Sequence, residues 1–306
     1  MKLYFDQQAI KNKYEKQMRD QFPDVVFVHE IEGNTDAEAI ITMTGFLKPE
    51  NLDLFKHLKW VHILQAGYDK LDLEYYLNRK IVLTNAKDVF SIQIAEDVFS
   101  KILYFNRNID KHIEHMSEHL WKYEKSQYEI AHSTIGIIGT GSIGFEIAKR
   151  MKSFDAKVIG YKRSYQSIPF FDEIYTDQKG LEKLYKESDY IIISVPLTKD
   201  TYHMIDESAF SMMKSNAIII NVARGDVIDQ EALIKALKTK QIRAAGLDVM
   251  SPEPLPKDHE LWDLKNVMIT PHNASSSPYV NQRLIAKAME SIQRYLSNQP
   301  FDNRVI

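Results

Sequence analysis

Ile135-Gly136-Ile137-Ile138-Gly139-Thr140-Gly141-Ser142-Ile143-Gly144 is an apolar run that closes in a G-x-G-x-x-G spacing, with the helical pattern Phe145, Ile147, Ala148, Met151 directly behind it. A strand, a tight turn and a helix in that order make a dinucleotide-binding unit. Gly139 permits the turn, Gly141 lets backbone approach a pyrophosphate, and Gly144 lets the helix lie close on the strand. At the helix start, the N–H groups of Ser142, Ile143 and Gly144 then face the phosphate. The chain holds only 11 glycines, and four of them fall within residues 136–144, so this is where bare backbone is needed. The next strand, Lys157-Val158-Ile159-Gly160-Tyr161, ends in Lys162-Arg163-Ser164. An NAD site carries an acid there for the ribose hydroxyls. Two cations and a hydroxyl suit a 2′-phosphate instead, so NADP is expected, with NAD the alternative.

Outward from this unit, short β-branched runs alternate with helical stretches in both directions, the pattern of parallel sheets covered by helices on two faces. Towards the carboxyl end the strand-like runs are Tyr190 to Val195, Ala217 to Val222, Ala244 to Val249 and Val267 to Thr270. Towards the amino end they are Leu3 to Phe5, Val25 to Val28, Ile40 to Met43, Val61 to Leu64 and Ile81 to Leu83. A long helix is expected from Ile92 to Ile109, with a polar continuation to Glu118. It faces an interdomain core or a partner subunit rather than a membrane. The last helix, Pro278 to Ser297, is expected to cross back to the first domain. The fold class is therefore α/β with two doubly wound domains: a flavodoxin-like substrate domain from residues 1–100 and 276–306, and a Rossmann dinucleotide domain from residues 101–275.

Composition bounds the function. Of 306 residues, 44% are hydrophobic and 26% charged, which is globular rather than disordered. A net charge of -3 leaves no basic field for nucleic acid or an anionic membrane. The lack of any cysteine excludes disulfides, thiolate metal sites and a cysteine nucleophile, and suits a cytoplasmic protein. His112, His115 and His119 share a helix face but lie among Glu114, Glu118, Lys111 and Lys122, so a solvated face is expected and no metal. Ser142 is not a hydrolase nucleophile, because Thr140 stands where the elbow needs glycine.

Three further motifs close expected strands: Asn221-Val222-Ala223-Arg224-Gly225-Asp226, Gly246-Leu247-Asp248-Val249 running on to Pro252-Glu253-Pro254, and Thr270-Pro271-His272-Asn273. Open parallel sheets bind ligands at these strand ends. With the glycine turn, and with Gln65-Ala66-Gly67-Tyr68-Asp69 and Thr84-Asn85-Ala86 through Ala95-Glu96, they resemble the D-isomer-specific 2-hydroxyacid dehydrogenase family over essentially the whole chain. The resemblance implies a homodimer acting on a small 2-keto or D-2-hydroxy acid in a cleft between the domains. It implies cofactor contacts from Pro196, Thr201 and Ala223, and substrate contacts from the backbone of Ala66 and Gly67. Asp248 is either a residue beside the nicotinamide or a turn cap. Tyr68 replaces the family's small aliphatic residue, as a pocket group or a structural one, and the role of Trp121 is open.

The chemistry asks for these residue types on its own account. Reducing a 2-keto acid needs a cation to hold the carboxylate and polarise the ketone, and a proton for the developing alkoxide. Arg224 supplies a fork that stays charged, and His272 supplies the proton. Glu253, on the other ring nitrogen, fixes the tautomer and favours the protonated ring. Gly225 is expected to let the chain turn out of its strand. The rival reading is a dinucleotide-sensing corepressor-like protein of the same fold; such proteins carry docking extensions, whereas this chain ends about ten residues beyond its last helix.

Overall fold

A computed structural model describes residues 1–306, apart from the side chains of residues 8 and 9, and the chain divides into two compact units, Met1–Phe90 with Ser277–Ile306, and Ser91–Ser276. The first contains β1 (Lys2–Phe5), α1 (Gln8–Gln21), β2 (Val26–Val28), β3 (Ala39–Thr42), α2 (Pro49–Leu52), β4 (Trp60–Ile63), α3 (Leu73–Asn78) and β5 (Val82–Asn85). Its five strands are all parallel, in the order β2-β1-β3-β4-β5, which is the flavodoxin-like winding. Alternate residues serve opposite faces. Leu3, Phe5, Ala39, Ile41 and Trp60 join one core, while Tyr4, Ile40, Val61 and Ile63 join the other.

The second unit contains α4 (Ser91–Asn106), α5 (Ile109–Ser117), β6 (Thr134–Ile138), α6 (Ser142–Lys152), β7 (Lys157–Tyr161), β8 (Glu173–Tyr175), α7 (Gln178–Glu187) and β9 (Tyr190–Ile193). It continues with α8 (Glu207–Met212), β10 (Ile218–Asn221), α9 (Gln230–Lys238), β11 (Ala244–Leu247) and β12 (Val267–Ile269). The sheet is parallel in the order β12-β11-β10-β9-β6-β7-β8, the doubly wound Rossmann arrangement with its reversal between β6 and β9. β9 and β10 are buried along their whole length, as helices on both faces require, and their sequences Tyr-Ile-Ile-Ile and Ile-Ile-Ile-Asn read accordingly.

Four details differ from the sequence reading. The division falls at Phe90/Ser91 rather than near residue 100, because α4 is continuous from Ser91 and packs on α6, β10 and β11 of the second unit. The long helix is two helices, broken where Asn108 takes a left-handed φ of 49°. His115 is buried rather than solvated, because the following segment folds back, with Leu120 N–H donating to His115 O at 2.8 Å and Lys111 reaching Glu124. β8 had no apolar run to announce it: it is a three-residue edge strand on which Glu173 pairs with Lys157 at 2.7 Å and Lys183 at 3.1 Å.

α10 (Val280–Leu296) belongs to the first unit, as expected, although its cap is Tyr279 and Pro278 lies outside it. Leu284, Ile285, Ala288, Met289 and Ile292 cover the Trp60 face, and Tyr295 and Phe301 stack on the Trp60 ring at 5.1 and 5.5 Å. Behind Trp60 lies His62, fully buried, with Nδ1 2.9 Å from Thr84 Oγ1 and Nε2 without a partner among the described residues. Burial, helped by the Lys287 charge, pushes its ionisation down to about 3. The unfolded chain therefore takes up a proton below about pH 6.5 that the folded protein refuses until about pH 3. Stability should fall by about 1.4 kcal/mol per pH unit in that window, so roughly 2 kcal/mol between pH 6.5 and 5. Urea unfolding at the two pH values checks this: His62→Gln, though less stable at pH 7, should lose that much less on acidification, and an equal loss in both proteins would sink the assignment.

Candidate active site

The glycine turn is built by close approach on one side and left open on the other. Gly139 has φ +102°, donates its N–H to Tyr161 O at 2.9 Å, and abuts the Ser194 carbonyl, which a Cβ would meet at 2.8 Å. A Cβ on Gly144 would lie 2.1 Å from the Gly139 carbonyl oxygen, so the first turn of α6 sits directly on the strand end. A Cβ on Gly141, by contrast, would meet nothing within 4 Å. No described side chain caps the start of α6 and no acid lies in its first turn, leaving the N–H groups around Ser142, Ile143 and Gly144 to an outside acceptor. Thr140 Oγ1 is buried there with no partner among the described residues. An open cradle, an uncapped helix start and an orphaned hydroxyl fit a bound phosphate.

Beyond β7, Lys162 Nζ reaches Gln166 Oε1 at 3.0 Å, Ser164 is exposed, and Arg163 pairs with Asp200 at 2.8 Å. Asp200, on the loop after β9, was not singled out from the sequence; no motif marks a partner from a loop 37 residues further along. Thr140 was likewise passed over, being a variable position of the glycine motif. Thr201 turns out to staple its own loop: its Oγ1 donates to Pro196 O at 2.7 Å and accepts from Thr198 N–H at 2.8 Å.

β10 ends in Asn221, whose side chain turns the chain by accepting from Ala223 N–H at 3.0 Å and donating to Arg224 O at 2.9 Å. Ala223 is buried, and Arg224 Nη1 donates to Ala223 O at 2.7 Å. Gly225 is required for space rather than for a turn, since a Cβ would lie 2.1 Å from the Met250 carbonyl carbon and 2.6 Å from Ser251 N. The loop after β10 is thus pressed onto the loop after β11.

That second loop carries Glu253. Its Oε1 accepts from Met250 N–H at 3.1 Å, and its Oε2 lies 2.8 Å from His272 Nδ1. Both side chains are roughly half exposed. The carboxylate claims the Nδ1 proton and leaves Nε2 as the ring's other working nitrogen. His272 itself has a left-handed φ of 51°. Asp248 holds it there: its backbone carbonyl accepts from His272 N–H at 2.8 Å, and its buried carboxylate accepts from Thr270 Oγ1 at 2.7 Å, Asn273 N–H at 3.0 Å and Ala274 N–H at 3.1 Å. Of its two readings, the geometry favours the cap.

In the first unit, Ala66 is exposed and its carbonyl accepts from Asn85 Nδ2 at 2.8 Å, with Gly67 half-buried beside it. Tyr68 is half-buried and packs on the Tyr4–Ile40 core, which favours its structural reading. No group of three or more metal-ligating side chains exists among the described residues, and no helix formed by them is long and apolar enough to cross a membrane.

The family profile of the D-isomer specific 2-hydroxyacid dehydrogenase, NAD binding domain, matches residues 99–274. Glyoxylate reductase of Pyrococcus furiosus is 37% identical over 256 residues, 81% of this chain and 76% of that protein. Among solved structures, a D-isomer specific 2-hydroxyacid dehydrogenase family protein from Aeromonas salmonicida superposes with a TM-score of 0.87 at 29% identity, covering 100% of this chain and 98% of that one. An acyclic imino acid reductase (Bsp5), solved in complex with NADPH and D-Arg, superposes with a TM-score of 0.83 at 27% identity over the full length of both chains.

The two kinds of glycine in the turn can be told apart by urea denaturation. Gly144→Ala forces a Cβ against a backbone carbonyl and should cost about 1 to 3 kcal/mol. Gly141→Ala, at φ -73° with open space, should stay within about 0.5 kcal/mol of the parent. Equal losses would show that the cradle at Gly141 is not open.

Proposed function

The chain belongs to the D-isomer specific 2-hydroxyacid dehydrogenase family, an NAD(P)-dependent dehydrogenase by that membership, and we propose that it reduces a small 2-keto acid to the D-2-hydroxy acid with NADPH. The observation that carries this reading is the 2.8 Å Glu253–His272 bond, on a loop pressed against the one that presents Arg224. Arg224 binds the carboxylate in two-point fashion and draws charge onto the ketone oxygen. When bound, the cofactor supplies hydride to C2. His272 Nε2 delivers a proton to the alkoxide oxygen, so that one hydride and one proton convert ketone to alcohol. Glu253 holds the ring in the tautomer and direction this transfer needs.

The cofactor is held, in this reading, by the glycine turn and α6 at the pyrophosphate and by Lys162, Arg163 and Ser164 at the 2′-phosphate. Arg163 then exchanges or shares Asp200 with the phosphate, a low barrier because both side chains are exposed. In the first unit, the backbone N–H groups of Ala66 and Gly67 are the carboxylate contacts that the family resemblance implies. A second copy of the chain covers the exposed apolar surface of Ile109, Ile113, Met116, Leu120 and Trp121, in keeping with the homodimer that the family resemblance implies.

Oxidation of NADPH followed at its absorbance with glyoxylate, hydroxypyruvate, pyruvate and 2-ketoisocaproate tests the activity. With the best substrate, His272→Ala should lower kcat by about 100-fold or more with NADPH affinity little changed. A near-parental rate would refute the mechanism and favour a cofactor-sensing role. Arg163→Ala should weaken NADPH roughly tenfold to a hundredfold, the worth of a charge-assisted bond to phosphate, and leave NADH nearly unaffected. Equal weakening of both cofactors would remove the 2′-phosphate assignment.

A further inference from the structure

Of the four residues Ser251, Pro252, Glu253 and Pro254, two are prolines and have no N–H to give. The turn that must present Glu253 to His272 is therefore poor in backbone donors of its own. A side chain compensates. Gln230, the first residue of α9, aims its amide at the turn: Nε2 donates to Ser251 O at 2.7 Å and Oε1 accepts from Ser251 N–H at 3.2 Å. This two-point pairing takes up both backbone groups of Ser251, as a neighbouring strand would.

The clamp stands on firm ground. α9 is capped by Asp229, whose side chain accepts from Ala232 N–H at 3.1 Å, and it is buried along Ala232, Leu233, Ile234, Ala236 and Leu237. Gly225 presses on the backbone of Met250 and Ser251, and Met250 N–H closes onto Glu253 Oε1. One stretch of seven residues, Arg224 to Gln230, thus carries the substrate-binding cation at one end and the grip on the acid's loop at the other.

We propose that Gln230 is a positioning residue, which through Ser251 sets the direction in which Glu253 meets His272 and so ties the proton donor to Arg224. The inference rests on the roles proposed above for Glu253 and His272. Proton transfer is steep in geometry, and a displacement near 1 Å can cost on the order of 100-fold. Loss of the clamp should therefore appear in turnover and not in binding.

Steady-state reduction by the full chain is the test. Gln230→Leu should lower kcat about tenfold while KM for NADPH and for the keto acid stays within about twofold. Gln230→Glu, which keeps the acceptor for Ser251 N–H and loses the donor, should fall between parent and Gln230→Leu. In a Glu253→Gln background, substitution of Gln230 should add nothing further, because its effect passes through Glu253. If Gln230→Leu does not fold, Gln230→Glu carries the same comparison. An unchanged kcat, an equal rise in KM, or a fully additive effect in the Glu253→Gln background would overturn the proposal. A crystal structure of the Gln230 variant gives a readout without turnover: Glu253 and His272 still bonded at 2.8 Å would overturn it too. Parental rates for His272→Ala and Glu253→Gln would instead strike down the proposed function and Gln230's positioning role with it, an outcome told apart from failure of the clamp alone, in which those two variants are impaired and Gln230→Leu is not.

Discussion

A carboxylate that is almost wholly out of water must find donors, since an unsatisfied buried charge costs several kcal/mol. Asp248 is in that position at the end of β11, and all three of its donors come from one loop, 270–274. The demand shapes the loop. Two consecutive N–H groups and one hydroxyl can converge on a single carboxylate only if the chain bends sharply between them, and the bend falls on His272 at φ 51°. A left-handed conformation for a residue with a Cβ costs on the order of 1 to 2 kcal/mol. Charge-assisted bonds of about 1.5 to 3 kcal/mol each more than offset it. The histidine is held by the backbone around it before Glu253 touches its ring.

The glycines divide along a related line. Gly139, Gly144 and Gly225 are packed against other backbone, so their bareness serves the architecture; Gly141 faces open space, so its bareness leaves room for something else. The spacing already gave Gly139, Gly141 and Gly144 separate parts in the G-x-G-x-x-G turn. The structure adds which of them pack against backbone and which faces open space, and Gly225, read as a turn residue, proves to be a contact between two loops.

Much of this was legible beforehand where burial is complete. Parallel strands such as Ile218–Asn221 cannot be polar inside, and the apolar runs mark them within a residue or two. Edge strand β8 escaped because its stability comes from Glu173 and two lysines, which look like surface in any linear reading. The break at Asn108 escaped because the apolar periodicity continues across it. Site residues were legible as types and not as partners. Glu253 and His272 could be paired by their chemistry, whereas Thr201 closing its own loop, Asp200 reaching Arg163 and Gln230 holding Ser251 depend on which loops the sheet brings side by side.

That last dependence has a geometric origin. β10, β11 and β12 are consecutive neighbours in a parallel sheet, and adjacent strands lie about 4.8 Å apart. Their carboxyl ends therefore deliver three loops within roughly 10 Å, the reach of two side chains. Arg224 follows the first, Glu253 the second and His272 the third. The order matters: the middle loop lies against both neighbours, so the residue it carries can be anchored on one side by Gly225 and Gln230 and spend its remaining carboxylate oxygen on the other. In the proposed function, the cation and the proton donor on the outer two strands need no contact with each other. They require only that the loop between them be rigid, and most of the bonds around residues 248–254 serve that rigidity.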